Sequence, residues 1–84
     1  MTGVNYSKLR SLTARELIGA LNKDGFSLGR QSGSHQQYSH SDERRVTISF
    51  HHPGDTFTPK TLKSMIEKQA KWNEDDLKRL NLLK

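Results

Sequence analysis

No cysteine occurs in the 84 residues. Disulfide staples and thiolate metal sites are excluded, and the chain suits a reducing compartment such as the cytoplasm. No apolar run approaches the length of a membrane span, and the N-terminus lacks the apolar core of a secretory signal, so no membrane association is expected. Apolar residues are scarce at 31%, with three Phe, two Tyr and one Trp. A chain this short forms one domain and buries roughly 60–65% of its unfolded surface. That leaves room for one sheet face and a few helix stripes, but little for an enclosed pocket. A shallow open site suits a polymer better than a small metabolite. Acidic charge is short as well: nine Asp and Glu face fourteen Lys and Arg, for a net charge of +5. A surplus of that sign attracts polyanions and strengthens phosphate contacts.

What is present has a legible order. Residues 1–12 are mixed polar, basic and apolar, and read as a partly ordered lead-in to a single domain over residues 13–84. Thr13 with Glu16 forms a capping box, with Leu12 and Leu17 as its hydrophobic staple. Leu17, Ile18, Ala20 and Leu21 give the helix its apolar stripe, and Asp24-Gly25 ends it. The period then changes. Phe26, Leu28 and Arg30 alternate with Ser27, Gly29 and Gln31, which predicts a half-buried strand. Gln31-Ser32-Gly33-Ser34 is a turn, and His35 to His40 a second strand anchored by Tyr38. After the turn Ser41-Asp42-Glu43-Arg44, residues Arg45 to Phe50 form the clearest strand, with Val46, Ile48 and Phe50 on one face. His51 to Phe57 is a loop. Thr58 then caps a helix that has Pro59 at its first position and Leu62, Met65, Ile66 and Ala70 as its buried stripe. A short terminal helix starts at Asn73. The expected fold is α+β, in the order α-β-β-β-α with a short extra C-terminal helix: a three-stranded antiparallel sheet with helices on one face and the other face open.

His35, after Gly33-Ser34 at the start of a strand, is the candidate for chemistry. Alternation sets His35 and Gln37 opposite Tyr38, so a buried Tyr38 turns His35 to the open face. An imidazole exchanges protons near neutral pH, and on RNA the natural task is to deprotonate the ribose 2′-hydroxyl. DNA lacks that hydroxyl. Gly33 permits an unusual backbone conformation and close approach of a phosphate. Arg30, Arg44, Arg45, Lys60 and Lys63 are the basic residues expected near the site, with the N-terminus of the second long helix as a further phosphate contact. His51 and His52 are adjacent on an extended segment and point apart, which is poor chelating geometry. With His40 they read as loop residues, one of them available to touch substrate. No phosphate-loop or dinucleotide fingerprint and no defensible Ser-His-Asp spacing is present.

Taken together these segments resemble the HicA family of toxins. The resemblance rests on Glu16-Leu17-Ile18, Asp24-Gly25-Phe26, Arg30-Gln31-Ser32-Gly33-Ser34-His35 with Tyr38, Arg44-Arg45-Val46-Thr47, a loop containing His51, and Thr58-Pro59-Lys60-Thr61-Leu62 leading into Met65-Ile66. It implies a fold like that of double-stranded-RNA-binding domains. It also implies an mRNA-cleaving endoribonuclease that works without a metal or other cofactor, uses the Gly-Ser-His histidine and is neutralised by a HicB-type antitoxin. On that reading His35 is catalytic, while Arg30, Gly33, Ser34, Arg45, Lys60 and Lys63 contact RNA, and cleavage halts translation and growth. The chain departs from the family pattern in its longer lead-in, the polar Gln36-Gln37, and a Ser41-Asp42-Glu43 turn without the usual Pro and Gly. The alternatives are a non-catalytic RNA-binding module of related fold, or a protein-interaction domain docking through the open sheet face.

Overall fold

A computed structural model of the chain describes Val4 and residues 6–83. Residues 1–3 and 5, the start of the expected lead-in, and residue 84 lie outside the described residues. Tyr6–Leu9 form a short 3-10 turn. Its Leu9, together with Leu12, is buried in the core.

The first helix, α1, spans Ala14–Lys23 and opens with the expected capping box. The Thr13 hydroxyl accepts from the Glu16 N–H, and the Glu16 carboxylate accepts from the Thr13 N–H. These two bonds satisfy donors that the first helical turn leaves free. Gly25, at φ +101°, closes the helix: its N–H donates to Asn22 O, and the Phe26 N–H donates to Leu21 O. The left-handed turn costs a glycine little and delivers Phe26 into the core.

Three antiparallel strands follow in the order β1-β2-β3: Ser27–Ser32, His35–Ser39 and Arg45–Ser49. Strand β3 alternates as expected, with Val46 and Ile48 buried between exposed Arg45, Thr47 and Ser49. Tyr38 on β2 is buried beside them. Strand β1 corrects the predicted alternation. All six of its residues are exposed, and the register shifts between Leu28 and Arg30. A bulge at Gly29 breaks the two-residue period. Leu28 pairs with Tyr38 on the helix side but remains 48% exposed, because the helices leave the outer strand uncovered.

The next helix, α2 (Pro59–Lys63), begins at the predicted Thr58 cap and passes directly into a π-helix over Ser64–Gln69. The apolar stripe predicts an uninterrupted α-helix here. The wider turns instead keep Met65, Ile66 and Ala70 in the core while the Gln69 side chain accepts from the Thr47 N–H on the edge of β3 (2.8 Å). Helix α3 (Glu74–Arg79) has a capping box of its own between Asn73 and Asp76. Leu9, Leu17, Phe26, Ile48, Leu62, Ile66, Trp72 and Leu77 lie in one continuous core between the helices and one face of the sheet. The arrangement is the α-β-β-β-α layout expected, with no described helix on the far face of the sheet.

Candidate functional site

The site is built at one end of the sheet by the β1–β2 hairpin. Gly33, at φ +59°, takes the first central position of a two-residue turn, a conformation that glycine adopts without steric cost. A Cβ placed there would meet open space, so the constraint lies in the backbone angle. Ser34 then ties the turn to the end of β3: its carbonyl accepts from the Phe50 N–H (3.1 Å), and its hydroxyl lies 3.5 Å from that of Ser49. His35 opens β2 with Ser32 opposite it on β1 and Ser49 opposite it on β3. It is exposed on the bare face, as the alternation with buried Tyr38 requires. The Tyr38 hydroxyl donates to Gln36 Oε1 (2.8 Å) on the helix-facing side.

The predicted phosphate contacts divide. Arg30 pairs with Gln37, so it shares the open face with His35 two pairs further along the sheet. Lys60 lines a groove with Thr47, Ser49 and Gln69, beside the strand that carries the His35 partner. Lys63 is exposed one turn further along α2. Arg45 is on the open face but pairs with Ser39 at the far end. That is four residues from the His35 level, or about 13 Å along the strand. Arg30, Arg45, Lys60 and Lys63 take part in no ion pair among the described residues. The start of α2 offers less than expected, because Thr58 itself accepts from the Thr61 N–H.

Arg44 corrects its predicted place near the site. It lies at the opposite end of the molecule, where its guanidinium donates to Asp42 (2.7 Å), to Ala70 O (2.6 Å) and to Asp24 (3.4 Å), and covers the Phe26 ring at 4.9 Å. Asp24 also accepts from Trp72 Nε1 and Arg79, both at 2.9 Å. Burial alone would raise the Asp24 carboxyl pKa. The Trp72 and Arg79 hydrogen bonds and the Arg44 and Arg79 charges outweigh it and hold the pKa below the usual carboxylate value. His40 is part of this structural cluster. Its Nε2 meets Asp24 O at 2.9 Å, and its ring packs edge-on against Phe26. Such a network depends on long-range packing, so nothing in the local sequence pattern announces it.

The loop after β3 is the component that sequence patterns undervalue. The backbone N–H groups of His51 and His52 both donate to Asp55 Oδ2, at 2.9 and 3.1 Å, and these bonds depress the Asp55 pKa. Asp55 O and Pro53 O accept from the Ala14 and Arg15 N–H groups at the start of α1. His51 thereby lines a shallow depression with Gly33, Ser34, Gln36 and Phe50. Among the described residues, no group of three or more His, Asp or Glu converges as metal ligands would. No described helix is long and apolar enough to cross a membrane.

The site thus combines an exposed histidine at a glycine turn with Arg30 and Arg45 on the open sheet face, both outside any ion pair among the described residues. A family model described as the HicA toxin of bacterial toxin–antitoxin systems matches residues 14–72. The span runs from the start of α1 through the sheet and π-helix to Trp72, and leaves α3 outside. No curated protein matches the chain. The chain belongs to the HicA toxin family, and is a toxin whose system includes a cognate antitoxin partner.

Proposed function

We propose that the chain is an endoribonuclease that cleaves mRNA, with His35 taking the proton from a ribose 2′-hydroxyl. The observation that carries this reading is the placement of His35: exposed on the bare face, beside the Gly33-Ser34 turn and flanked by Ser32 and Ser49. The 2′-oxygen would attack the adjacent phosphorus while Arg30 and Lys60 offset charge on the phosphate oxygens. Gly33 and Ser34 shape the turn against which the backbone of the RNA lies, with Lys63 and Arg45 contacting more distant phosphates. The side chains named supply proton transfer and charge without a metal.

The same surface is the natural target of the antitoxin, which we take to be of HicB type. An inhibitor that covers His35 and presents acidic groups to Lys60 and Arg30 would block substrate and gain from the charge surplus. Messenger RNA places the reaction in the cytoplasm.

The test is cleavage of a defined mRNA in EDTA by the native chain and by His35→Ala. Loss of a general base typically slows a reaction about 10²- to 10⁴-fold. RNA binding should survive, since the cations remain, and should weaken as salt rises. Equal cleavage by both proteins would remove His35 from the chemistry. Salt-sensitive binding with no cleavage by either would identify an RNA-binding module.

A further inference from the structure

We infer that the groove between the edge of β3 and α2 is a base-binding subsite, in which Phe57 stacks on the base of the nucleotide whose 2′-hydroxyl meets His35; this inference rests on the ribonuclease reading above. The groove is lined by Thr47 and Ser49 of β3, by Phe57 and Lys60 around the start of α2, and by Met65 and Gln69 of the π-helix. Phe57 is half-buried: it packs against the core and also faces the groove. An aromatic surface beside a cation suits single-stranded nucleic acid, since every base has a π-face and every nucleotide a phosphate. Lys60 supplies the cation, exposed and outside any ion pair among the described residues.

The strand register sets this groove beside His35. The Thr47 N–H donates to Gln69 Oε1 from the outer edge of β3. Peptide groups alternate sides along a strand, so Ser49 also turns its N–H and C=O outward, while the Phe50 N–H turns back and donates to Ser34 O. His35 and Ser49 are thus a non-hydrogen-bonded pair, and the Cβ atoms of such a pair lie about 4.5–5.5 Å apart on one face. In a nucleotide the base is joined to the carbon next to the one that bears the 2′-hydroxyl. A hydroxyl held at His35 places its own base beside Ser49, where the outward N–H and C=O meet the donors and acceptors of a base edge. The base of the following nucleotide lies one phosphate further away. Gln69 already occupies the Thr47 N–H, so a partner strand cannot ladder along this edge, which leaves the groove to a single planar group. The depression at Gln36 and Phe50 is no competitor: Gln36 pairs with buried Ile48, on the face opposite His35.

The probe is an oligoribonucleotide that the native chain cleaves at a mapped bond, resynthesised with an abasic ribose on the 5′ or the 3′ side of that bond. Loss of one stacked base is expected to lower the native kcat/KM about 10- to 100-fold on the 5′-abasic substrate, with little change on the 3′-abasic one. Phe57→Ala should lose a similar factor on the intact substrate and nothing further on the 5′-abasic one. Phe57→Leu, which keeps apolar bulk against the core without the ring, should follow it, and Phe57→Tyr should retain the native discrimination. Equal cleavage of intact and 5′-abasic RNA by the native chain would overturn the subsite. So would Phe57 variants that lose as much on the 5′-abasic substrate as on the intact one, since the ring would then act through the fold. Neither result touches the ribonuclease reading, which His35→Ala tests separately. A native chain that cleaves no RNA would overturn both.

Discussion

Replacing Asp24 is the sharpest test of how the end opposite His35 is held together. Its carboxylate, 10% exposed, receives hydrogen bonds from Trp72, Arg79 and Arg44, tying α1 to the start of β3 and to the C-terminal segment. In Asp24→Ala the indole N–H loses its acceptor away from water, while the Arg44 guanidinium, 18% exposed, loses its 3.4 Å partner and keeps Asp42 and Ala70 O. A hydrogen bond to a charged group contributes about 1.5–3 kcal/mol, and the Arg44 charge stays compensated by Asp42. Arg79 is half exposed, so its share is screened and small. The expected loss is about 2–4 kcal/mol, or roughly 10–25 °C in Tm for a domain of this size. Asp24→Asn keeps an acceptor for Trp72 and should lose about 1–2 kcal/mol. The assay is urea and thermal unfolding followed by circular dichroism alongside fluorescence of Trp72, the single tryptophan. The pH dependence has a definite sign. A carboxyl depressed on folding contributes stability in full above its unfolded value near 3.9, and that contribution fades as pH falls through the folded value. Asp24→Asn should therefore flatten part of the acid limb. A Tm within about 2 °C of the native chain in Asp24→Ala, well below the shift per kcal/mol expected for such a domain, would refute the argument that this cluster is a principal clasp.

Three further outcomes follow from backbone geometry and capping. Gly25→Ala combines φ +101° with a Cβ only 2.9 Å from His40 Nε2, and should cost about 2–3 kcal/mol in urea unfolding. Glu43 sits at φ +76° in the β2–β3 turn, so Glu43→Gly should gain about 0.5–1 kcal/mol by the same measurement. Thr13→Ala removes the acceptor for the Glu16 N–H and should cost about 0.5–2 kcal/mol, read as a lower thermal midpoint.

Much of the architecture was legible before any coordinates. Thr13 and Glu16, the Asp24-Gly25 stop, the alternation of Val46 and Ile48, and Thr58-Pro59 are local signals, and each works through bonds made within a few residues. The orientation of His35 was legible for the same reason, since a buried Tyr38 fixes the opposite face of a two-residue repeat. The end of α3 repeats the chemistry of the end of α1. Asn81, at φ +63°, closes α3 with the same pair of bonds that Gly25 makes for α1.

Tertiary structure decided what depends on distance in sequence. The Gly29 bulge and the uncovered position of β1 left Leu28 outside the core, although its pattern matches that of a buried strand. The six-residue π-helix arises where the helix must satisfy the core and the β3 edge together through Gln69. Arg44 and Arg45 are neighbours in the chain yet have different fates: one is drawn into the Asp24 cluster, the other faces solvent. The loop that carries His51 takes its shape only through the Asp55 bonds to its backbone and the hold of Asp55 and Pro53 on α1. Periodicity and caps report the energetics of short segments, so the sequence determined the elements and their faces. Which side chains meet across the sheet depends on register and helix placement, and only the folded chain fixes those.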